Sequence, residues 1–198
     1  MSSVSTALLI LFIIYKPVLN KADTEIVKYN MKTALVVGNG PSVQTLDIDS
    51  LLTDYNFDLT LTTNHMWQQW PNFDWYCMAD ERNVLHTKNN ASADILAKCV
   101  TRTPWDRKHS MALCGGLTDS KRDISGTMAI RHAFKQGATH ILCVGFDSYT
   151  NQTRGKGFKD VPWEKRDPRT FDDWDSIMDR CLADVECSVK FLVPNTAK

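Results

Sequence analysis

A short apolar run, beginning at Ala34, leads directly into two glycines that are separated by a single residue. A strand that ends in Gly-x-Gly turns tightly, and its backbone N–H groups can approach a phosphate or a polar nucleotide edge because no Cβ intervenes. The turn is not the dinucleotide-binding fingerprint, because Pro41 and Val43 occupy the positions where the rest of G-x-G-x-x-G should run, and no Gly-Lys-Ser/Thr follows as in a P-loop. Two interpretations stay open, a structural turn or a ligand-contacting loop, and the second assigns ligand contacts to Gly38, Asn39, Gly40 and Ser42.

Polar side chains also follow the later predicted strands, at the point where each strand ends. In a doubly wound parallel sheet the ligand crevice lies outside the carboxyl ends of the strands. Any one such residue is typical of a loop cap, but their recurrence along the chain favours a shared site. The residues in question are Asn64 after LTLTT, Asp80 after WYCMA, and Asp147 and Tyr149 after HILCVGF.

The segment Ser125-Gly126-Thr127 opens the most regular helix pattern of the chain. The unpaired amides and positive dipole at a helix N-terminus favour an anion. Simple capping of the helix by Ser125 or Asp123 is the alternative interpretation. Gly137 fits the left-handed position just beyond the end of the same helix.

Strand-like apolar runs alternate with helical segments along the chain, and this alternation predicts a single α/β domain. Near-continuous apolar strands are typical of a parallel sheet with helices on both faces, so we expect a Rossmann-like architecture. A last helix is predicted over Phe171–Asp184, and Asn89–Asp119 is predicted to be irregular. The predicted strands are Thr33–Val37, Leu59–Thr63, Trp75–Ala79, Ile141–Val144 and Lys190–Val193, with an additional one near Cys99–Thr103.

Lysine plus arginine and aspartate plus glutamate both number 23, so no global basic field favours nucleic acid as a partner. The six cysteines lack metal-ligand spacing and are expected to be reduced, which predicts a cytoplasmic protein without a metal site. Residues 1–30 form an apolar extension before a nucleotide-binding domain over residues 31–198. Its apolar run at residues 7–15 is too short to span a bilayer, and it is either a peripheral membrane contact, a packed helix or a segment upstream of the true start.

Four stretches, VVGNGPSVQTLD, TTN, RDISGTMAIRHAFKQGATHILCVGFDSYTN and FLVPN, resemble the metal-independent bacterial sialyltransferase family that decorates lipooligosaccharide. That family has a G-N-G-P-S turn, an asparagine after the second strand, an R-x-x-S-G helix start and a G-x-D-x-Y strand end. The resemblance runs in patches between Met31 and Asn195, and the middle region diverges. The chain is also similar, at the same places, to 6-hydroxymethylpterin diphosphokinase-like proteins and to related phage proteins.

The sialyltransferase resemblance implies transfer of a sugar from a CMP-sialic acid type donor to a glycan acceptor, with no metal and no cofactor. It implies donor contacts for the glycine turn and Asn64, and contacts to the base and ribose for Ser125, Gly126 and Thr127. Arg122 would meet the donor carboxylate or the acceptor, and Tyr149 would donate a hydrogen bond to the departing phosphate.

Two positions depart from the sialyltransferase pattern. Asp80 stands where that family has an asparagine, and a carboxylate there favours the diphosphokinase-like alternative, in which an acidic group holds Mg²⁺. The family also places a base histidine in the segment that corresponds to Asn151–Asp175, and none is present here. His65, which directly follows Asn64, is the best remaining candidate for the base.

Three functions therefore stay open: sialyltransferase-like glycosyl transfer, Mg²⁺-dependent pyrophosphate transfer, and nucleotide binding without catalysis. The basic segment Thr153–Arg169 is either a lid over a phosphorylated donor or a solvated loop.

Overall fold

The computed structural model describes residues 31–102, 108, 116–118, 123–147, 149–150 and 169–193. These residues contain seven strands that form one sheet, and every neighbouring pair is parallel. The strand order is β5-β4-β3-β2-β1-β6-β7, so the α/β prediction of a Rossmann-like parallel sheet is confirmed. The strands are β1 (Thr33–Val37), β2 (Leu59–Thr63), β3 (Trp75–Met78), β4 (Cys99–Arg102), β5 (Gly116–Thr118), β6 (His140–Val144) and β7 (Ser188–Leu192).

The central strands are buried on both faces, which explains their continuous apolar sequences. In β1, four successive side chains from Ala34 to Val37 are inaccessible to solvent. Alternate residues of this strand belong to two separate core layers, one on each side of the sheet. Burial of both faces is what a parallel sheet with helical crossovers requires.

Helices cover the two faces in two groups. One face packs against α4 (Ser125–Lys135) and α5 (Arg169–Asp184), through buried residues such as Met128 and Met178. The other face is covered by the connections that follow β1, β2 and β3. These connections contain two 3₁₀-helices, Pro41–Gln44 and Asn64–Gln68, and the helices α1 (Ile48–Asp54), α2 (Glu81–Asn90) and α3 (Ala93–Ala97).

The direction of the strand order reverses between β1 and β6. Successive strands β1 to β5 extend to one side of β1, whereas β6 and β7 extend to the other. In open parallel sheets, ligands bind at such a reversal, outside the carboxyl ends of the strands. The loops after β1, β2, β3 and β6 are therefore the ones to examine for a site.

The sequence-based prediction was wrong for part of the middle of the chain. Residues 89–119 were predicted to be irregular apart from the additional strand near Cys99–Thr103, which β4 confirms, yet they also include α3 and β5, and α2 ends at Asn90. The predicted caps of α4 were also wrong, because the N-cap residue is Ile124 and no side chain caps through it. The left-handed conformation of Gly137 is confirmed, with φ of +89°.

Several predictions fall outside the described residues: the N-terminal extension with its apolar run at 7–15, Arg122, and the basic segment up to residue 168. Within the described ranges, every helix falls short of the length and apolar character needed to span a bilayer.

Candidate functional site

The glycine turn after β1 is hydrogen-bonded to the end of β6, at the reversal of the strand order. The Gly38 amide donates to the Val144 carbonyl at 2.7 Å, and the Gly40 amide donates to the Gly145 carbonyl at 2.8 Å. A Cβ at position 38 would lie 2.5 Å from the Gly145 carbonyl oxygen. The close approach of two backbone segments is therefore sufficient to explain Gly38.

Asp147 holds the second half of the turn. Its carboxylate accepts hydrogen bonds from the Ser42 amide at 3.2 Å and from the Ser42 hydroxyl at 2.7 Å, and both residues are buried. A Cβ on Gly40 would overlap this carboxylate. The sequence pattern predicted that the backbone amides of residues 38, 40 and 42 could bind a ligand. In the structure these amides donate hydrogen bonds to protein acceptors, and the Asp147 carboxylate accepts from Ser42.

A second group of polar residues joins the ends of β2 and β3 to the start of α4. Asn64, directly after β2, has a φ of +55° and is the one non-glycine residue with positive φ in the described part of the chain. Its Oδ1 atom accepts hydrogen bonds from the Ser125 hydroxyl at 2.9 Å and from the side-chain Nδ2 atom of Asn83 at 2.6 Å. The Ser125 Oγ atom in turn accepts from the Ala79 amide at 3.0 Å. We call Asn64, Ala79, Asn83 and Ser125 the asparagine cluster.

The N-terminus of α4 adjoins this cluster and supplies a positive electrostatic end. The first amides of a helix have no intrahelical acceptor, and the helix dipole adds partial positive charge there. A Cβ on Gly126 would lie 2.7 Å from the ring of Phe146, so this N-terminus lies close to the loop after β6. Thr127 is fully buried, and its hydroxyl accepts from the Ile124 amide at 3.1 Å, which gives this side chain a structural role.

Asp123, just before α4, is buried but compensated. It is 2% exposed, and its Oδ1 accepts from Thr127 Oγ1 and forms an ion pair with Arg131 Nε, both at 3.2 Å. Arg131 also pairs with the exposed Asp184 at 2.8 Å. This ion-pair group offsets a negative charge that would otherwise oppose an anion at the helix N-terminus.

Two candidate catalytic residues lie at the sides of the asparagine cluster. Asp80 is exposed at the N-cap position of α2, without a side-chain capping hydrogen bond. His65 is half-buried in the 3₁₀-helix after β2, with its ring centroid 4.3 Å from that of His86 on α2. His132, on α4, lies against Trp75 with ring centroids 4.6 Å apart, and burial lowers its pKa to about 4.

Tyr149 lies on the α5 side of the loop after β6. Its hydroxyl donates to Asp179 of α5 at 2.9 Å, and its ring packs against Phe191 with centroids 5.2 Å apart. In this arrangement the Tyr149 hydroxyl proton is directed at a carboxylate on α5.

A surface pocket of about 320 Å³ lies beside the glycine turn, but its lining does not suit a phosphate. Asp47 and Asp49 contribute carboxylates to it, and its lining includes no cation. No residue of the asparagine cluster lines this pocket. The remaining lining residues are Val43, Gln44, Leu46, Ile48, Gln69 and Trp70.

The described cysteines are unsuited to nucleophilic chemistry. Five of them are buried and free of disulfides. Burial raises the pKa of Cys181 to about 12 and that of Cys187 to about 11, so both are thiols at neutral pH. In the described ranges, no three His, Cys, Asp or Glu side chains gather into a group that could hold a metal ion.

The structure thus brings two of the predicted site residues, Asn64 and Ser125, into direct contact and adds Asn83, which sequence reasoning missed. Asn83 lies three residues after Asp80 on a largely polar helix, and nothing in its neighbourhood marks it. Asn83 is half-buried and contacts Asn64 in the loop after β2, and this contact can be recognised only when the position of α2 in the fold is known. Comparison with known proteins finds no matching family model, no similar curated protein and no similar solved structure.

Proposed function

We propose that the chain is a nucleotide-dependent transferase that binds a CMP-sugar type donor at the carboxyl edge of its sheet and transfers the sugar to a glycan acceptor. The observation that carries this proposal is the asparagine cluster. Residues directly after β2 and β3 meet the first turns of α2 and α4 there, and N–H donors lie beside a helix N-terminus. Such donors suit the phosphate of a nucleotide.

The chemistry of glycosyl transfer explains why such donors matter. The bond between the sugar carbon and the phosphate oxygen breaks, and the nucleotide leaves with additional negative charge. Fixed N–H groups stabilise that developing charge without reorganising. The helix amides of Ser125 and Gly126 and the Asn64 amide fill this role in the proposal, in place of a metal ion.

Tyr149 and His65 are the remaining residues with proposed catalytic roles. Tyr149 reaches a leaving phosphate only if its hydroxyl exchanges Asp179 for the ligand. His65, one residue after Asn64, is proposed as the base that takes the proton of the acceptor hydroxyl. Half-burial against His86 limits the directions from which an acceptor can approach it.

Nucleotide binding without catalysis is a second candidate, and one observation favours it. The Tyr149 hydroxyl and the Asp147 carboxylate both have protein partners already. Mg²⁺-dependent pyrophosphate transfer is a third candidate, in which the exposed Asp80 at the N-cap of α2 would hold the ion together with substrate phosphates.

The proposal is tested by thermal-shift and calorimetric binding of CMP, CDP, GDP, UDP and ATP, each with Mg²⁺ or with EDTA. We expect CMP to raise the melting temperature equally in both conditions, and Asn64→Ala to reduce that shift while leaving weaker CMP binding that calorimetry can still measure. Asn72→Ala, at an exposed loop position, is the matched control and should behave as wild type.

Incubation with CMP-sialic acid then separates the two leading candidates. Release of CMP supports transfer or slow donor hydrolysis, whereas binding without release supports the non-catalytic alternative. A CMP shift that appears only with Mg²⁺, or no shift with any nucleotide, would overturn the proposed donor site.

A further inference from the structure

Hydrogen bonds connect the residues of the asparagine cluster in a chain. The Ala79 amide, directly after β3, is a backbone donor, and the Ser125 Oγ atom accepts from it. The Ser125 hydroxyl donates in turn to Asn64 Oδ1 at 2.9 Å. In this arrangement the Asn64 side chain presents its carbonyl oxygen to Ser125.

Asn83 adds a second constraint on the same oxygen. Its amide nitrogen lies 2.6 Å from Asn64 Oδ1. With two donors on one oxygen, rotation of the Asn64 amide by 180° would place its NH₂ group against both of them. The Asn64 Nδ2 atom has no acceptor among the residues that the structure describes, so its two N–H groups are left for a ligand.

We propose that Asn83 is a positioning residue of this site, which holds the Asn64 amide so that only donors face the crevice. The inference rests on the proposed function, because it makes the ligand group beside Asn64 a hydrogen-bond acceptor. Asn83 itself acts through Asn64, and the left-handed backbone of Asn64 places that side chain within reach of both partners.

The decisive variant is Asn83→Asp, which keeps the shape of the side chain and replaces its donor by acceptor oxygens. The Asn64 amide must then turn its NH₂ group toward position 83 and present its oxygen to the crevice. Asn83 is the third residue of α2, where a carboxylate is favourable to the helix dipole, so the fold should not be weakened. The matched control is Asn89→Asp, the same change at an exposed position of the same helix.

The probe is CMP, with affinity measured by calorimetry. We expect Asn83→Asp to weaken CMP binding about 10- to 100-fold, the size of a hydrogen bond to a charged group, and Asn83→Ala to weaken it about 3- to 10-fold. Asn89→Asp should change it less than about twofold. Equal weakening by Asn83→Asp and Asn89→Asp would overturn the proposal.

A double-mutant cycle separates positioning from direct charge repulsion. If Asn83 acts through Asn64, the change to Asp should have less than about a twofold further effect in an Asn64→Ala background. A full effect in that background would mean that the new charge repels the ligand directly, and it would refute the positioning role.

A measurement without ligand keeps this inference distinct from the proposed function. In ¹⁵N-resolved NMR spectra of the free protein, Asn83→Asp should move the side-chain amide resonances of Asn64, and Asn89→Asp should not. Failure of wild type to bind CMP would defeat the proposed function and, with it, the ligand role of Asn83. Unmoved Asn64 resonances would defeat the positioning role even if CMP binds.

Discussion

Replacing Gly40 by alanine tests whether the glycine turn is shaped by the protein or by a ligand. Gly40 has φ −79° and ψ 158°, an extended conformation that alanine adopts without strain, so the effect of the substitution must be steric. The added Cβ would overlap the Asp147 carboxylate and lie 2.6 Å from the Gly145 carbonyl oxygen. Relief of that overlap requires the turn to move away from the end of β6.

The expected loss follows from the contacts that must give way. Overpacking a tight site costs about 1–3 kcal/mol, and weakening the hydrogen bonds of the Asp147 carboxylate to Ser42 adds about 1.5–3 kcal/mol. We therefore expect Gly40→Ala to lower the free energy of unfolding by about 3–5 kcal/mol. For a chain of this size, that corresponds to a fall of roughly 6–20 °C in Tm.

Denaturant unfolding followed by circular dichroism measures this difference, and Gly137→Ala is the control. A Cβ on Gly137 has open space, with the nearest atom, Lys32 Cδ, at 4.0 Å, but φ of +89° strains alanine. Backbone strain alone should lower the free energy of unfolding of Gly137→Ala by about 1–2 kcal/mol. A Gly40→Ala variant within 1 kcal/mol of wild type that no longer binds CMP would refute the reasoning, because it would show a glycine kept for a ligand.

Two further predictions concern stability. Burial lowers the pKa of His132 to about 4, so below pH 6.5 the unfolded chain binds a proton that the native chain does not. The free energy of unfolding should therefore fall by about 1–2 kcal/mol as the pH drops from 6.5 to 4, after allowance for the partly exposed ring. His132→Gln should remove that part of the pH dependence in urea titrations. An unchanged pH profile in the variant would contradict this assignment. Arg131→Ala should lower the free energy of unfolding in guanidinium by about 2–4 kcal/mol, because it leaves buried Asp123 without the cation of its ion pair. Asp184→Ala, at the exposed end of the same ion-pair group, should lower it by less than about 1 kcal/mol. Equal losses would show that burial of Asp123 is not the cause.

The sequence predicts the sheet well because its strands are buried on both faces. β1 and β2 have the predicted bounds: the apolar run of β1 ends at Gly38, and the alternating Leu-Thr run of β2 ends at Asn64. α2 is missed because only Val84 and Thr87 are buried within it, which is too weak a pattern to identify a helix.

The site is predictable only in part, for a related reason. A Gly-x-Gly turn indicates that something approaches the backbone closely, but it does not identify what approaches. Here the neighbour is the end of β6, more than 100 residues away in sequence. The contact between Asn64 and Ser125 follows from topology, because carboxyl ends of neighbouring strands share an edge with the helix N-termini.

The most direct test of the account is a ¹⁵N-resolved NMR titration of the wild-type chain with CMP in the presence of EDTA. We expect saturable shifts at the backbone amides of Ser125 and Gly126 and at the side-chain amide of Asn64, with none at the pocket residues Asp49 and Gln69. Shifts confined to the pocket, or no shifts at millimolar CMP, would contradict it.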